Sequence, residues 1–213
     1  MGEITWRGAT IAWAQTTSSF DGFAEADLAA MGGRQLARYQ QLDGVRASGF
    51  LAGRALIRAL VLRLGGGPVV HLDSLCERCG DDHAAPRIDG FMISVSHAGD
   101  LVAVAVAPGM DPLGVDVEAD ADRTRVAELG PMFAPVSAPD LAGWTRIEAA
   151  VKADGRGFAI DPRDVRLEPQ PQHEGSPMQA PPTWLADVPD RTSRLQVATL
   201  PGPTGYTLSV ARG

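Results

Sequence analysis

Met92–Glu118, MISVSHAGDLVAVAVAPGMDPLGVDVE, is the stretch whose reading decides the fold. It opens on a short strand, Met92 to Ser96. Leu101 to Ala107 (LVAVAVA) is apolar on both faces, as expected of a strand at the centre of a sheet. Ser96-His97-Ala98-Gly99-Asp100, between these two, has the composition of a tight turn. Pro108 to Pro112 makes a further turn into a third strand, Leu113 to Glu118.

On the N-terminal side, Ile4 to Trp13 reads as a strand and Ala24 to Gln41 as a helical region. Phe50 to Leu64 has the clearest amphipathic pattern in the chain. Leu56, Ile57, Leu60, Val61 and Leu64 share one arc, and Arg54 and Arg58 lie one turn apart on the other side. Gly65-Gly66-Gly67-Pro68 ends it. On the C-terminal side, helices are expected around Ala121–Leu129 and over Leu141–Ala153, the latter stopped by Gly155 and Gly157. Strands follow at Val165–Leu167, Leu195–Thr199 and Tyr206–Val210. Pro169, Pro171, Pro177, Pro181 and Pro182 mark an irregular stretch between the first two. Pro201 to Gly205 reads as a hairpin turn between the last two. The expected class is α+β with mostly antiparallel pairing.

A chain of 213 residues holds one large domain or two small ones. Its net charge of −7 argues against a general nucleic-acid binder, which needs a dominant basic surface. Positive charge is nonetheless concentrated locally, in Arg34, Arg38, Arg46, Arg54, Arg58 and Arg63, as either a small-anion site or a solvated helix face. No apolar run approaches bilayer length, and no basic segment followed by a hydrophobic one opens the chain, so a cytoplasmic protein without membrane contact is expected. Cys76 and Cys79, flanked by His71 and His83, form a single CxxC. Zinc is the sharper reading and a loop with free thiols the favoured one, because the histidine spacing matches no common finger.

The candidate chemistry lies in three places. Strand periodicity sends Asp116 and Glu118 to one face and Val115 and Val117 to the other. Paired carboxylates at the end of a buried strand suit Mg²⁺, which takes one or two carboxylates plus phosphate oxygens and water. Trp144, Glu148 and Lys152, at i, i+4 and i+8, share one helix face, so Glu148 is a third candidate ligand and Lys152 a phosphate contact. His97, at a turn after a buried strand, suits donation to a diphosphate. Read singly, the acids suit a solvated strand end and the helix pair an ordinary surface salt bridge. A serine hydrolase lacks its GxSxG elbow here, and Gly155-Arg156-Gly157 follows a helix and so is no P-loop.

Taken in order, SVSH (Ser94–His97), GVDVE (Gly114–Glu118) and W-x3-E-x3-K-x2-G-x-G (Trp144–Gly157) resemble the surfactin-synthetase-activating (Sfp-type) 4′-phosphopantetheinyl transferases. FLAGRALIR, Phe50–Arg58, is similar to that family's N-terminal helix. The resemblance runs from about Gly33 to Phe158. It implies two pseudo-twofold-related lobes, divided near Gly109 into 1–108 and 109–213, with coenzyme A in the cleft between them. It further implies transfer of phosphopantetheine from coenzyme A to a serine of an acyl or peptidyl carrier protein, releasing adenosine 3′,5′-bisphosphate, by a monomer. Asp116, Glu118 and Glu148 match the family's Mg²⁺ ligands and His97 and Lys152 its diphosphate contacts. Ser96 and Arg54 fall among its coenzyme A contacts. Three positions depart from the pattern: Ile147 and Gly49 stand where the family has a basic residue, and Ala84-Ala85-Pro86 where it has Gly-Lys-Pro. The segment between Glu118 and Trp144 is also short for the family. Two alternatives follow, a coenzyme A- or carrier-binding homologue without catalysis and a metal-dependent hydrolase of diphosphates.

Overall fold

A computed structural model describes residues 1–18, 20, 22–75, 80, 85–133, 137–171 and 181–213. Cys76, Cys79 and His83, the remaining members of the CxxC group, lie outside the described residues. The chain divides into two units, Met1–Met110 and Asp111–Gly213.

The first unit opens with Gly2–Trp6 (β1) and Ala9–Gln15 (β2), a hairpin closed by Arg7 and Gly8. Both turn residues have positive φ, 48° and 76°, the two-residue geometry that matches the twist of the flanking strands. The single strand expected over Ile4–Trp13 is thus two. Arg7 conceals the turn, since a bulky residue at positive φ is uncommon. The expected helical region Ala24–Gln41 is broken into Glu25–Met31 (α1) and Gly33–Gln40 (α2) at Gly32, whose φ of 134° suits only glycine. Gly44–Arg63 (α3) begins six residues before the expected Phe50.

Phe91–Ala98 (β3) and Leu101–Pro108 (β4) complete an antiparallel sheet of order β1-β2-β4-β3, so the LVAVAVA strand is central and buried on both faces. Leu56, Ile57, Leu60 and Val61 of α3 pack on Val102, Val104 and Val106 of β4 and Ala12 and Ala14 of β2. Burying each such side chain contributes about 1.5–3 kcal/mol, which fixes α3 across the sheet.

The second unit runs Leu113–Ala119 (β5), Arg123–Glu128 (α4), Leu141–Asp154 (α5), Arg166–Pro169 (β6), Thr183–Asp187 (β7), Leu195–Leu200 (β8) and Tyr206–Arg212 (β9). Its antiparallel sheet has order β5-β9-β8-β7-β6. β7 was not expected, because Pro181 and Pro182 directly precede it. α5 is well delimited. Asp140 Oδ1 accepts from Gly143 N at 2.6 Å at its start, and Gly155 closes it at φ 86° with its N–H on the Val151 carbonyl.

α5 lies across β5, β9 and β8, burying Ile147, Ala150 and Val151 with Val197, Ala186 and Ala211. It comes closest at Gly114 of β5. A Cβ there would stand 2.0 Å from Ala149 O and 2.5 Å from Ala153 N, so only glycine admits the helix at this height. The class is mixed α+β, with two antiparallel sheets and five α-helices among the described residues. Among those residues no helix is long and apolar enough to cross a membrane.

Candidate functional site

The second unit brings four of the expected site residues together. Gly114, Asp116 and Glu118 alternate along β5 on the face that receives α5, while Val115 and Val117 turn to the other face. Asp116 is 4% exposed, and Glu118 is half-buried at the strand's end. From α5, Lys152 places Nζ 2.7 Å from Asp116 Oδ1, and Glu148 stands one turn earlier on the same side. Arg125 of α4 reaches Glu118 Oε2 at 3.5 Å.

These groups feel one another's charge. Burial first, and then the Asp116 carboxylate, hold the pKa of Glu148 above its ordinary value; Lys152 opposes this and Glu118 adds to it. Glu118 is raised by burial and then by Asp116, with Arg125 pulling the other way. Three carboxylates and one ammonium thus form one electrostatic group with an excess of negative charge. Among the described residues no three Asp, Glu, His or Cys side chains stand together as a formed metal-binding group, so these carboxylates are coupled without being converged. Their donor chemistry, carboxylate oxygen throughout, fits a hard divalent cation.

The other three expected residues belong to the first unit. His97 extends from β3 on the face that carries Ile93 and Val95, and its ring rests on α3. Its Nε2 is 3.4 Å from the Gly49 carbonyl. A Cβ on Gly49 would be 3.3 Å from His97 Cδ2, and one on Gly53 3.9 Å from Nε2. The bare helix at Gly49, which sequence comparison reads as a missing cation, is the seat of the imidazole. Ser96 points to the opposite side of β3 and is buried with Ser94.

Arg54 does not lie on an open helix face. It is 8% exposed, donates from Nε to Gln35 Oε1 at 2.7 Å and stacks on Phe50 with 4.1 Å to the ring centre. Burial lowers its pKa to about 10. Gln35 passes the link on to Ser74 Oγ at 3.0 Å, so Arg54 ties α3 to α2 and to the loop beyond α3. Arg58 pairs with Asp27 at 2.8 Å and Arg63 with Glu3. Arg54, Arg58 and Arg63 are therefore engaged within their own unit.

Ile147 is 5% exposed and sits in the apolar layer between α5 and the sheet, so a cation at 147 would face the core. Trp144 packs edge-on against Phe133 with ring centres 6.3 Å apart, which places it as an anchor for α5.

Sequence reasoning missed a second set of residues under α5. Thr145 and Ser209, both fully buried, join hydroxyl to hydroxyl at 2.8 Å, and Ser209 meets Thr199 at 3.0 Å. Arg146 donates to Thr199 Oγ1 at 3.2 Å while its guanidinium lies 3.8 Å from the Trp184 ring centre. No periodic pattern marks these residues, which come from four separate elements. One compositional signal was legible: Lys152 is the only lysine in the chain, against 18 arginines. Every other side-chain cation short of histidine is a guanidinium, and the compact ammonium is kept for the carboxylate pair.

No protein-family model matches this chain, and no curated protein matches it.

Proposed function

We propose that this protein is a Mg²⁺-dependent 4′-phosphopantetheinyl transferase, moving phosphopantetheine from coenzyme A to a carrier-protein serine and acting as a cytoplasmic monomer. The observation that carries the reading is the juxtaposition on β5 and α5. Lys152 lies 2.7 Å from Asp116, with Glu118 and Glu148 charge-coupled to the pair. Four residues drawn from two separated motifs, GVDVE and W-x3-E-x3-K, come within range of one another's charge, which supports a shared role. The build of each unit also supports the transferase fold, since each has an antiparallel sheet with one long helix, α3 or α5, on one face.

Asp116, Glu118 and Glu148 would hold the metal. Bound there, Mg²⁺ would supply charge neutralisation for the diphosphate and support for the departing bisphosphate. Lys152 presents an ammonium beside these carboxylates, suited to a phosphoryl oxygen that gains charge in the transition state. Glu148, whose proton affinity is raised by burial, would take the carrier serine's proton, directly or through a water it orients. His97, braced against Gly49, would donate to the diphosphate, whereas Ser96 faces the other side of β3 and would serve the strand's packing. The buried bonds of Arg54 assign it to holding α3 in place, and a coenzyme A contact would require it to leave Gln35.

The test is product analysis. Incubation with coenzyme A, Mg²⁺ and an apo carrier is expected to release adenosine 3′,5′-bisphosphate in step with carrier modification. Bisphosphate released without any carrier would favour a hydrolase instead. Burial of Arg54 favours one second reading, a binder of coenzyme A or carrier without catalysis. Calorimetry separates the two, because coenzyme A binding that is indifferent to Mg²⁺ fits the binder.

A further inference from the structure

Two adjacent residues of α5, Thr145 and Arg146, are linked to each other through the sheet beneath them. The direction of every bond in that link follows from proton counting. Thr145 Oγ1 donates its one proton to the Ala142 carbonyl at 3.1 Å. Its 2.8 Å contact with Ser209 must therefore run from Ser209 to Thr145. Ser209 has then spent its proton, so the 3.0 Å contact with Thr199 runs from Thr199 to Ser209. Thr199 in turn accepts from Arg146 Nη1 at 3.2 Å. The path leaves α5 at the Arg146 guanidinium, crosses β8 and β9, and returns to α5 at Thr145 and its own backbone. Each hydroxyl donates once and accepts once, and Thr145 and Ser209 are fully buried, so no water competes for the bond between them.

The position of this loop gives it a role. Ser209 is the register partner of Asp116 on the neighbouring strand. On α5, Thr145, Ala149 and Ala153 form one stripe at i, i+4 and i+8, the first fixed by Ser209 and the other two by contact with Gly114. Glu148 and Lys152 each precede a residue of that stripe by one position. The helix is thus held at three successive turns, and the two functional side chains leave it between the fixed points. Ser209 beneath the helix and Asp116 beside Ser209 share one strand register, so the height set at Thr145 is the height at which Lys152 meets Asp116.

We propose that Thr145, Ser209 and Thr199 are positioning residues, a hydroxyl clamp that sets the seat of α5 and so places Lys152 and Glu148 over Asp116. The chemistry they serve rests on the transferase reading above, but the clamp itself is judged independently of activity. Because Lys152 is the only lysine, lysine labelled with ¹⁵N at Nζ gives this protein a single side-chain ammonium signal. Thr145→Ser keeps the hydroxyl, Thr145→Val keeps the volume without it, and Ser209→Ala removes two links at once.

The wild type and Thr145→Ser are expected to share one Lys152 resonance, and Thr145→Val and Ser209→Ala to move it toward that of free lysine. Transfer should fall roughly tenfold to a hundredfold in kcat, the scale of an ångström-sized misplacement, with KM for the carrier unchanged. A Lys152 resonance that stays put in the folded Thr145→Val or Ser209→Ala protein overturns the proposal, even if stability falls. Should Thr145→Val fail to fold, the smaller Ser209→Ala change decides. If the wild type transfers nothing, the functional reading fails and the resonance still judges the clamp.

Discussion

Gly114→Ala tests how closely the second unit's site depends on the seating of α5. The added Cβ would stand 2.0 Å from Ala149 O, 2.5 Å from Ala153 N and 3.0 Å from Ala149 C, all backbone atoms that no rotamer change can move aside. A carbon–oxygen contact needs about 3.3 Å, so α5 must retreat by roughly 1.3 Å. If Lys152 moves with its helix, its 2.7 Å contact with Asp116 opens to about 4 Å, beyond hydrogen-bond range. Overpacking of a formed core costs about 1–3 kcal/mol, and stretching the 2.8 Å Thr145–Ser209 bond adds about 1 kcal/mol. The expected loss is therefore about 3 kcal/mol, a large share of what holds a domain of this size together.

Urea unfolding followed through Trp144 and Trp184, which lie in this unit, reads the loss, and hydrogen exchange along α5 locates it. Gly130→Ala is the control. Its Cβ would meet nothing closer than Ala138 Cβ at 3.7 Å, and its effect should stay within about 0.5 kcal/mol. A Gly114→Ala protein as stable as the wild type, with unchanged exchange in α5, refutes the reasoning.

Two further predictions concern charge. In the folded protein Glu148 binds its proton more tightly than in the unfolded chain, so its charged form opposes folding. That penalty is absent below the ordinary value of 4.5, grows as pH rises through the raised folded value, and is complete above it. Glu148→Gln should hence unfold at higher urea than wild type near neutral pH, the gap closing as pH falls below 4.5. A gap that is reversed, or the same at all pH, contradicts this. Ile147→Lys, which installs the cation the transferase family carries, should lose about 3 kcal/mol or more in urea titrations without tightening coenzyme A binding, because position 147 is buried. A stable variant with tighter binding would show that 147 faces the ligand.

How much was readable from sequence depended on whether a residue's role was local. β4 announced itself as LVAVAVA because burial on both faces leaves an unbroken apolar run, and α5 did so through Asp140 and Gly155 at its ends. The period of a strand and a helix suggested that Asp116 and Glu118 share one face and Glu148 and Lys152 another, but not the direct Asp116–Lys152 ion pair, which joins two elements. The Arg7-Gly8 turn was hidden by an arginine at φ 48°, and β7 by the prolines before it. Gly49 and Ile147 were read as absent cations because a motif gives residue types without surroundings; one is the seat of His97 and the other part of a core. Thr145, Ser209 and Thr199 are set by strand register between segments far apart in the chain, and no window of sequence contains them together.

The central claim is most directly tested by the intact mass of apo carrier proteins, drawn from fatty-acid, polyketide and peptide synthesis, after incubation with this protein, coenzyme A and Mg²⁺. At least one carrier should gain the mass of a phosphopantetheine group, and the gain should vanish with chelator and in Lys152→Met. A panel on which no carrier gains mass, or a gain that persists in the chelated and Lys152→Met samples, would contradict the account.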